Sequence, residues 1–330
     1  MSLQLYNPFD NIYLENNTCF LTGEDLTNEE ETINVFPDWT LDRFNLRTVR
    51  FKMMNKVNSV EYGALKLPCS KRVLNAFNEL ESEIQEAFNL GYEGVLKLPS
   101  EKLFLWMGKI LYGILYQDLL LERKELEKKG QLFNLSLRLK EKYSLFHLML
   151  QSLVSPILFT GVSPWSITVV RLKYSKEIFH YRDNPIHLVF SLGMNGVGII
   201  ACLQDNGMVK QEQKELLEKI GNSVLHPIQF EELCARFLYA HYLLQYKPQY
   251  RNDEKDEALI IAGREPHADA VKPLFAAWND TTYAQLLAGY WEAWGFTSNN
   301  IVRHPDGPIS FLENDYTNGL IDPLSITLPF

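Results

Sequence analysis

Three observations in the sequence predict an α+β protein. Residues 166–203 alternate around Asn195-Gly196, and Asn-Gly between apolar runs is the strongest short hairpin signal. Residues 99–153 hold two long stretches dense in leucine and aromatic residues, which predicts a packed helix pair. The first hundred residues run from a Cys–Gly turn through loose alternation into a stripe of helical period. The expected division is a small N-terminal module of turn, β-hairpin and helix over residues 1–98, then a larger helical domain with an antiparallel sheet over 99–330.

In chain order, residues 1–18 read as an extended lead-in, and Thr27–Thr32 as a solvated acidic loop around Glu29-Glu30-Glu31. Val49, Phe51 and Met53 against Val60, Tyr62, Leu65 and Leu67 predict a hairpin that turns at Asn55–Ser59. Ser70 holds the N-cap position of a helix whose stripe is Val73, Phe77, Leu80, Ile84, Ala87 and Phe88. Glu79, Glu81, Glu83 and Glu86 fall mostly off that stripe, and Gly91 is placed as a C-cap. Pro99 opens a helix reaching Lys129 and stopped by Gly130, and Gln131–Leu153 forms the next. Strands are predicted at Ser166–Lys173, Ile186–Leu192 and Val197–Leu203. Met208–Ile220 reads as a charged surface helix, and His226-Pro227 as the start of a buried one. Pro248–Glu257 is expected to be a mobile loop, Ala258–Ile261 a short strand, and Tyr283–Trp294 a helix before a loop-rich end.

A net charge of −9 argues against broad, non-specific binding to phosphate backbones, which needs clustered Lys and Arg, but it leaves room for a local basic patch. The four cysteines, Cys19, Cys69, Cys202 and Cys234, form no C-x-x-C pair, and the first residues lack the basic-then-apolar layout of a signal peptide. Reduced thiols in a cytoplasmic protein are therefore expected. Leu103–Leu121 approaches spanning length, yet Lys109 and Asp118 lie inside it. A central charge costs about 2.5–3.5 kcal/mol on insertion scales, so a buried core helix is expected and no membrane partner.

The stretch from Cys19 to Gly91 carries the most specific pattern. Cys19-Phe-Leu-Thr22-Gly23 is followed by Ile33-Asn34-Val-Phe-Pro37, and then by Pro68-Cys69-Ser70-Lys-Arg-Val73-Leu-Asn75 at a helix start. In order and spacing this resembles the HNH endonuclease-like (treble-clef, ββα-metal) family. The likeness is to the bacterial group in which the module is followed by a long helix and a further helical domain. The resemblance implies a knuckle of C-x-x-C-G, a D/E-H-x-x-P stretch bearing a metal ligand and a histidine base, and a second ligand pair at the helix start. Cys19, Gly23, Pro37, Cys69 and Asn75 agree with that frame, whereas Thr22, Ile33, Asn34, Ser70 and Val73 stand where its zinc and catalytic residues would be. Two thiolates three residues apart can share one tetrahedral zinc, and a lone Cys19 cannot hold one. No histidine precedes His147, so no imidazole base is available within the module. The expectation is a degenerate module with no metal, no cofactor and no nuclease activity, with Thr22 and Val73 helping to fill the vacated site.

Other candidates carry a plainer reading beside the functional one. Gly193-Met-Asn-Gly196-Val-Gly198 has the wrong spacing for a dinucleotide loop and sits in a hairpin. His180, Asp183 and His187 could ligate a metal or assist a proton transfer, but surface or strand-edge polar residues are the preferred reading. His267 with Asp269, and His304 with Asp306, lie in Pro-flanked loops whose chemistry is also that of turns. Trp278, Tyr283, Tyr290, Trp291 and Trp294 read as core packing before a base-stacking platform. The expected function is a non-catalytic interaction or scaffold protein that docks a protein or nucleic-acid partner. The rivals are an enzyme whose site uses His180, His187, His267 or His304, and a residual nucleic-acid-binding protein.

Overall fold

The computed structural model describes residues 5–10, 17–27, 32–53, 59–174, 178–246, 248–255, 258–265, 273–303, 307–314 and 317–328, the side chains of 251–255 aside. The chain is α+β with several small sheets. It divides into two compact units. The first takes Met1–Asn89, Lys97–Thr160 and Arg251–Ala262; the second takes Leu90–Leu96, Gly161–Tyr250 and Gly263–Phe330. The two long helices thus belong with the N-terminal stretch, whereas a boundary at residue 98 had been expected to separate them.

In the first unit, the knuckle is a turn in which Cys19 N–H donates to Glu24 O (2.8 Å) and Gly23 N–H to Cys19 O (3.0 Å). Gly23 has φ +71, a left-handed conformation that glycine adopts without a Cβ clash. β1 (Thr32–Asn34) is followed by the short helix α1 (Asp38–Arg43) and by a hairpin of β2 (Arg50–Lys52) and β3 (Ser59–Glu61). Most of the expected hairpin turn, Asn55–Ser59, lies outside the described residues, as does the acidic run Glu29–Glu31. The return run does not continue the hairpin. A 3-10 turn at Tyr62–Ala64 redirects it, and β4 (Lys66–Pro68) pairs antiparallel with β1. Gly63 permits this turn, because a Cβ there would lie 2.9 Å from Arg47 O.

α2 (Lys71–Asn89) buries the predicted stripe, and Glu81 with it. Ser70 precedes it, but its hydroxyl makes no hydrogen bond, so the expected side-chain cap is not formed; only its carbonyl joins the helix, accepting from Leu74 N–H at 2.9 Å. After the short helix α3 (Tyr92–Leu96), α4 (Ser100–Lys128) buries every residue from Leu103 to Tyr116. α5 (Leu137–Leu150) begins six residues later than predicted, at a Ser136 whose Oγ accepts from Leu139 N–H. Gly113 lets α4 approach β1's continuation, since a Cβ there would meet Val35 at 2.5 Å. Among the described residues no helix is long and apolar enough to cross a membrane.

β5 (Ile157–Gly161) completes this unit's three-stranded sheet. The second unit is built on β6 (Ser166–Leu172), β7 (Phe179–Asn184), β8 (Val189–Met194) and β9 (Val197–Cys202), antiparallel in the order β6-β9-β8-β7. Asn195 and Gly196, at φ 53 and 75, make the predicted turn between β8 and β9. The predicted surface helix is two short ones, α6 (Met208–Glu212) and α7 (Lys214–Ile220), and β10 (Val224–Leu225) adds to β6 in parallel. α8 (Pro227–Leu243) carries the core of this unit, packed on by α9 (Asp280–Tyr290). Residues expected as a mobile loop form β11 (Tyr250–Lys255), which pairs with β12 (Ala258–Gly263). Ladder pairing outweighs polar composition there. All four cysteines are buried thiols outside any disulfide.

The knuckle is clamped from α5. His147, wholly buried, holds Phe20 O through Nε2 at 2.8 Å, and Gln151 pairs with both backbone groups of Tyr6 at 3.0 and 2.8 Å. Burial pushes the His147 imidazole down to about 4, against the hydrogen bond to Phe20 O. The unfolded chain binds this proton near pH 6.5 and the folded chain only near 4, so His147's contribution to stability is complete above pH 6.5 and is lost as pH falls through 4. Urea unfolding of the first unit at stepped pH should show a loss of about 3 kcal/mol across that window, at 1.36 kcal/mol per pH unit. His147→Gln should flatten the slope.

Candidate functional site

A cleft of about 180 Å³ opens in the first unit, lined by Thr32, Ile33, Asn34, Asp38, Lys66, Leu74, Asn78 and Glu81. β1 supplies one wall, β4 and the first turns of α2 the others. Asn34 Nδ2 donates to Asp38 Oδ1 at 2.9 Å, while Asn34 Oδ1 is buried with no hydrogen-bond partner. Asp38 Oδ1 also accepts from Arg47 at 2.6 Å, and Arg47 bridges onward to Asp42. The Arg47 hydrogen bond holds the Asp42 carboxyl below its usual range.

The floor is ionic. Lys109 of α4 is completely buried and its ammonium contacts the Glu81 carboxylate, donates to Asn34 O at 2.7 Å and lies 5.7 Å from the Phe77 ring centroid. Desolvation raises the Glu81 pKa, and the charge of Lys109 opposes the rise. Since Lys109 balances Glu81 and Arg47 balances Asp38, the cleft's remaining unbalanced charge is Lys66, exposed at its edge.

The predicted zinc and catalytic positions fall on adjoining segments. Phe20 N–H donates to Pro68 O at 2.8 Å and Arg72 pairs with Glu24 at 3.3 Å, so the knuckle bearing Cys19 and Thr22 is fastened to the helix start bearing Ser70 and Val73. Cys19 and Val73 are fully buried, and the Thr22 and Ser70 hydroxyls are buried without hydrogen bonds. Ile33 is buried and Asn34 half-buried, both against the cleft. Among the described residues, no group of three or more His, Cys, Asp or Glu side chains could hold a metal ion.

The two described late histidines do not converge. His180 of β7 lies against Glu231, 3.6 Å away, and His187 against His241, 3.2 Å between Nδ1 atoms. Glu231 and His241 are ten residues apart on α8, about 15 Å along the helix. His267 and His304 lie outside the described residues. Trp291 is buried and donates to Ile228 O at 3.2 Å, which makes it a core residue.

Sequence reading passed over Glu81 and Lys109. The signal was available: Glu81 follows Phe77 by four on the buried stripe, and Lys109 interrupts the apolar run of α4. Two opposite charges, each inside an apolar face, point to a buried pair. A second signal is charge placement, since residues 43–72 contain eight Lys or Arg against one acid, Glu61. Arg50 and Lys52 project from the same face of β2 with Phe51 buried between them, and together with Lys66 they form no ion pair among the described residues. Comparison with family models, curated proteins and solved structures finds no match to this chain.

Replacing Lys109 by Met leaves Glu81 buried without its counter-charge, and should cost about 3–5 kcal/mol of stability in chemical denaturation. Adding Glu81→Gln should recover most of that loss. Equal and additive losses in the two single variants would contradict the coupling.

Proposed function

We propose that this protein is a non-catalytic nucleic-acid-binding protein, built on a degenerate HNH-like frame, whose contact surface is the basic segment 43–72 beside the cleft. The observation that carries the reading is this segment's charge, eight cations against one acid in a chain of net charge −9. Arg43, Arg50, Lys52, Lys66 and Lys71 are exposed at the α1 end, on β2, on β4 and at the α2 start, and the proposed cationic face is drawn from them. Such a face attracts phosphate and releases counterions on contact, without any need for a base or a metal. The residue types support the loss of cleavage. Ile33 cannot ligate a cation, and Asn34 cannot take a proton from water at neutral pH.

The treble-clef detail of the frame belongs to the same proposal. It draws support from the order knuckle, β1, hairpin and α2, and from the bonds that fasten Phe20 to Pro68 and Glu24 to Arg72. A protein-docking scaffold is the reading that remains if nucleic acid does not bind.

Fluorescence anisotropy with labelled single- and double-stranded DNA and RNA, between 50 and 200 mM salt, tests the proposal. Binding should weaken linearly in log–log form, with a slope of about −0.9 per phosphate neutralised on duplex DNA. An Arg50→Ser, Lys52→Ser, Lys66→Ser variant should lose about two to three units of slope, and every strand should remain intact with magnesium, manganese or zinc. Absence of binding at 50 mM salt, or cleavage that Asn34→Ala removes, would sink the reading.

A further inference from the structure

The second unit holds an ionisable centre that the proposed binding surface does not use. Glu231 of α8 has a side chain only 4% exposed, and it stands between a histidine and an arginine of one strand. Its Oε1 is 3.6 Å from His180 Nε2 and its Oε2 is 3.8 Å from an Arg182 nitrogen. Both distances are within ion-pair reach and beyond hydrogen-bond reach. His180 Nε2, Glu231 Oε2 and Trp294 Nε1 are all buried without a well-formed hydrogen bond, although the Trp294 indole lies near enough to Glu231 to oppose the rise of its pKa. Polar atoms left this poorly paired, on β7, α8 and the 3-10 turn at Glu292–Trp294, are costly in a packed core. Such a cost points to a second arrangement in which they are satisfied.

Arg182 is fixed in place. It donates to Gly289 O at 3.0 Å and Tyr290 O at 3.2 Å, and its guanidinium lies 4.8 Å from the Tyr290 ring centroid. His180 is boxed by the rings of Tyr174 and Phe230, at centroid distances of 6.0 and 6.5 Å. Gly193 and Gly198 make that box possible, since a Cβ on either would meet Tyr174 at 2.7 Å or Phe230 at 2.5 Å. The carboxyl is therefore the part free to choose a side.

We propose that Glu231 is a single-proton switch: as a carboxylate it closes on Arg182 and the Trp294 indole N–H, and with a proton taken from solvent it turns its O–H to donate to the neutral His180 Nε2. The groups facing it are His180 and Arg182 of β7, Tyr174 beyond β6, Cys234 of α8 itself, Tyr290 of α9 and Trp294. Burial pushes the Glu231 carboxyl up to about 7, against the charge of Arg182, and burial pushes His180 down to about 4. The imidazole is thus an available acceptor wherever Glu231 exchanges its proton. Because Arg182 also holds the last carbonyls of α9, the choice of side alters what fixes that helix end to the sheet.

The linkage has opposite signs at the two partners. Glu231 keeps its proton longer in the folded chain, so its contribution is full below about pH 4.5 and is lost as pH rises through 7. His180 stays neutral longer in the folded chain, so its contribution is full above about 6.5 and is lost as pH falls through 4. Between those limits the two slopes oppose each other.

The test is tryptophan emission of the full chain from pH 5 to 9, with Trp294→Phe identifying the reporter, alongside carboxyl carbon NMR of glutamate-labelled protein. A one-proton transition near pH 7 is expected in the parent, absent from Trp294→Phe and from Glu231→Gln. His180→Leu should shift that transition to lower pH by removing the acceptor of the protonated form. A transition that survives in folded Glu231→Gln overturns the proposal. So does a Glu231 carboxyl resonance titrating below pH 5, which decides the question on the parent protein even if a variant fails to fold.

Discussion

The first unit depends on one buried ammonium. Lys109 sits within the buried run Leu103–Tyr116 of α4, and an uncompensated cation there would cost several kcal/mol. Its compensation comes from two other elements, the Glu81 carboxylate of α2 and the Asn34 carbonyl at the end of β1. Register follows from that requirement. α2 must present Glu81 inward, although its neighbours Leu80 and Ile84 already make a sufficient apolar face, and β1 must end with its carbonyl pointing at α4. The cleft inherits its character from the same contact. Its floor is ionic but balanced, and Asn34 Oδ1 and Lys66 remain beside it.

The second unit shows how neighbouring positions on one helix can be given opposite chemistry. Glu232 is wholly buried and saturated, accepting from Arg236, from Ser310 Oγ and from the backbone N–H groups of Phe311 and Leu312. It fastens the C-terminal segment to α8. Glu231, one residue earlier and about 100° around the helix, is nearly as buried, and its Oε2 has no well-formed hydrogen bond. Burial with so few donors favours the neutral form of Glu231. Identical carboxyl groups thus become a structural anchor and a proton-exchanging group through the number of donors each meets.

Sequence pattern foretold the parts of the fold governed by local rules. The α2 stripe, the Asn195-Gly196 turn, the α4 stop at Gly130 and the Pro227 start of α8 all follow from periodicity and special backbone residues. What it missed was decided by partners remote in sequence. β4 left the hairpin for β1, residues 250–255 joined a ladder despite their polarity, and Ser70 lost its capping role at a site packed against the knuckle. For the site, the frame positions Cys19, Thr22, Ile33, Asn34, Ser70 and Val73 were legible as residue types. The cleft beside them needed Glu81 and Lys109, which were legible as misplaced charges but not as partners. Likewise His180 was visible and Glu231 was not, since β7 and α8 meet only in the folded chain.

A small turn module that is not fastened by a metal needs other contacts to keep its turns rigid. In this chain such contacts are identifiable. His147 and Gln151 of α5 grip Phe20 and Tyr6 by hydrogen bonds, Phe20 stacks on Phe77 at 6.0 Å, and Cys19 and Val73 are buried as small apolar groups. Each element of that clamp comes from a helix or turn already required by the core, so packing and hydrogen bonds hold the knuckle. A turn held in this way keeps its shape only while α5 is docked and His147 is neutral. The shape of the N-terminal surface is thereby tied to the integrity of the helix pair behind it, which is why the two belong to one compact unit.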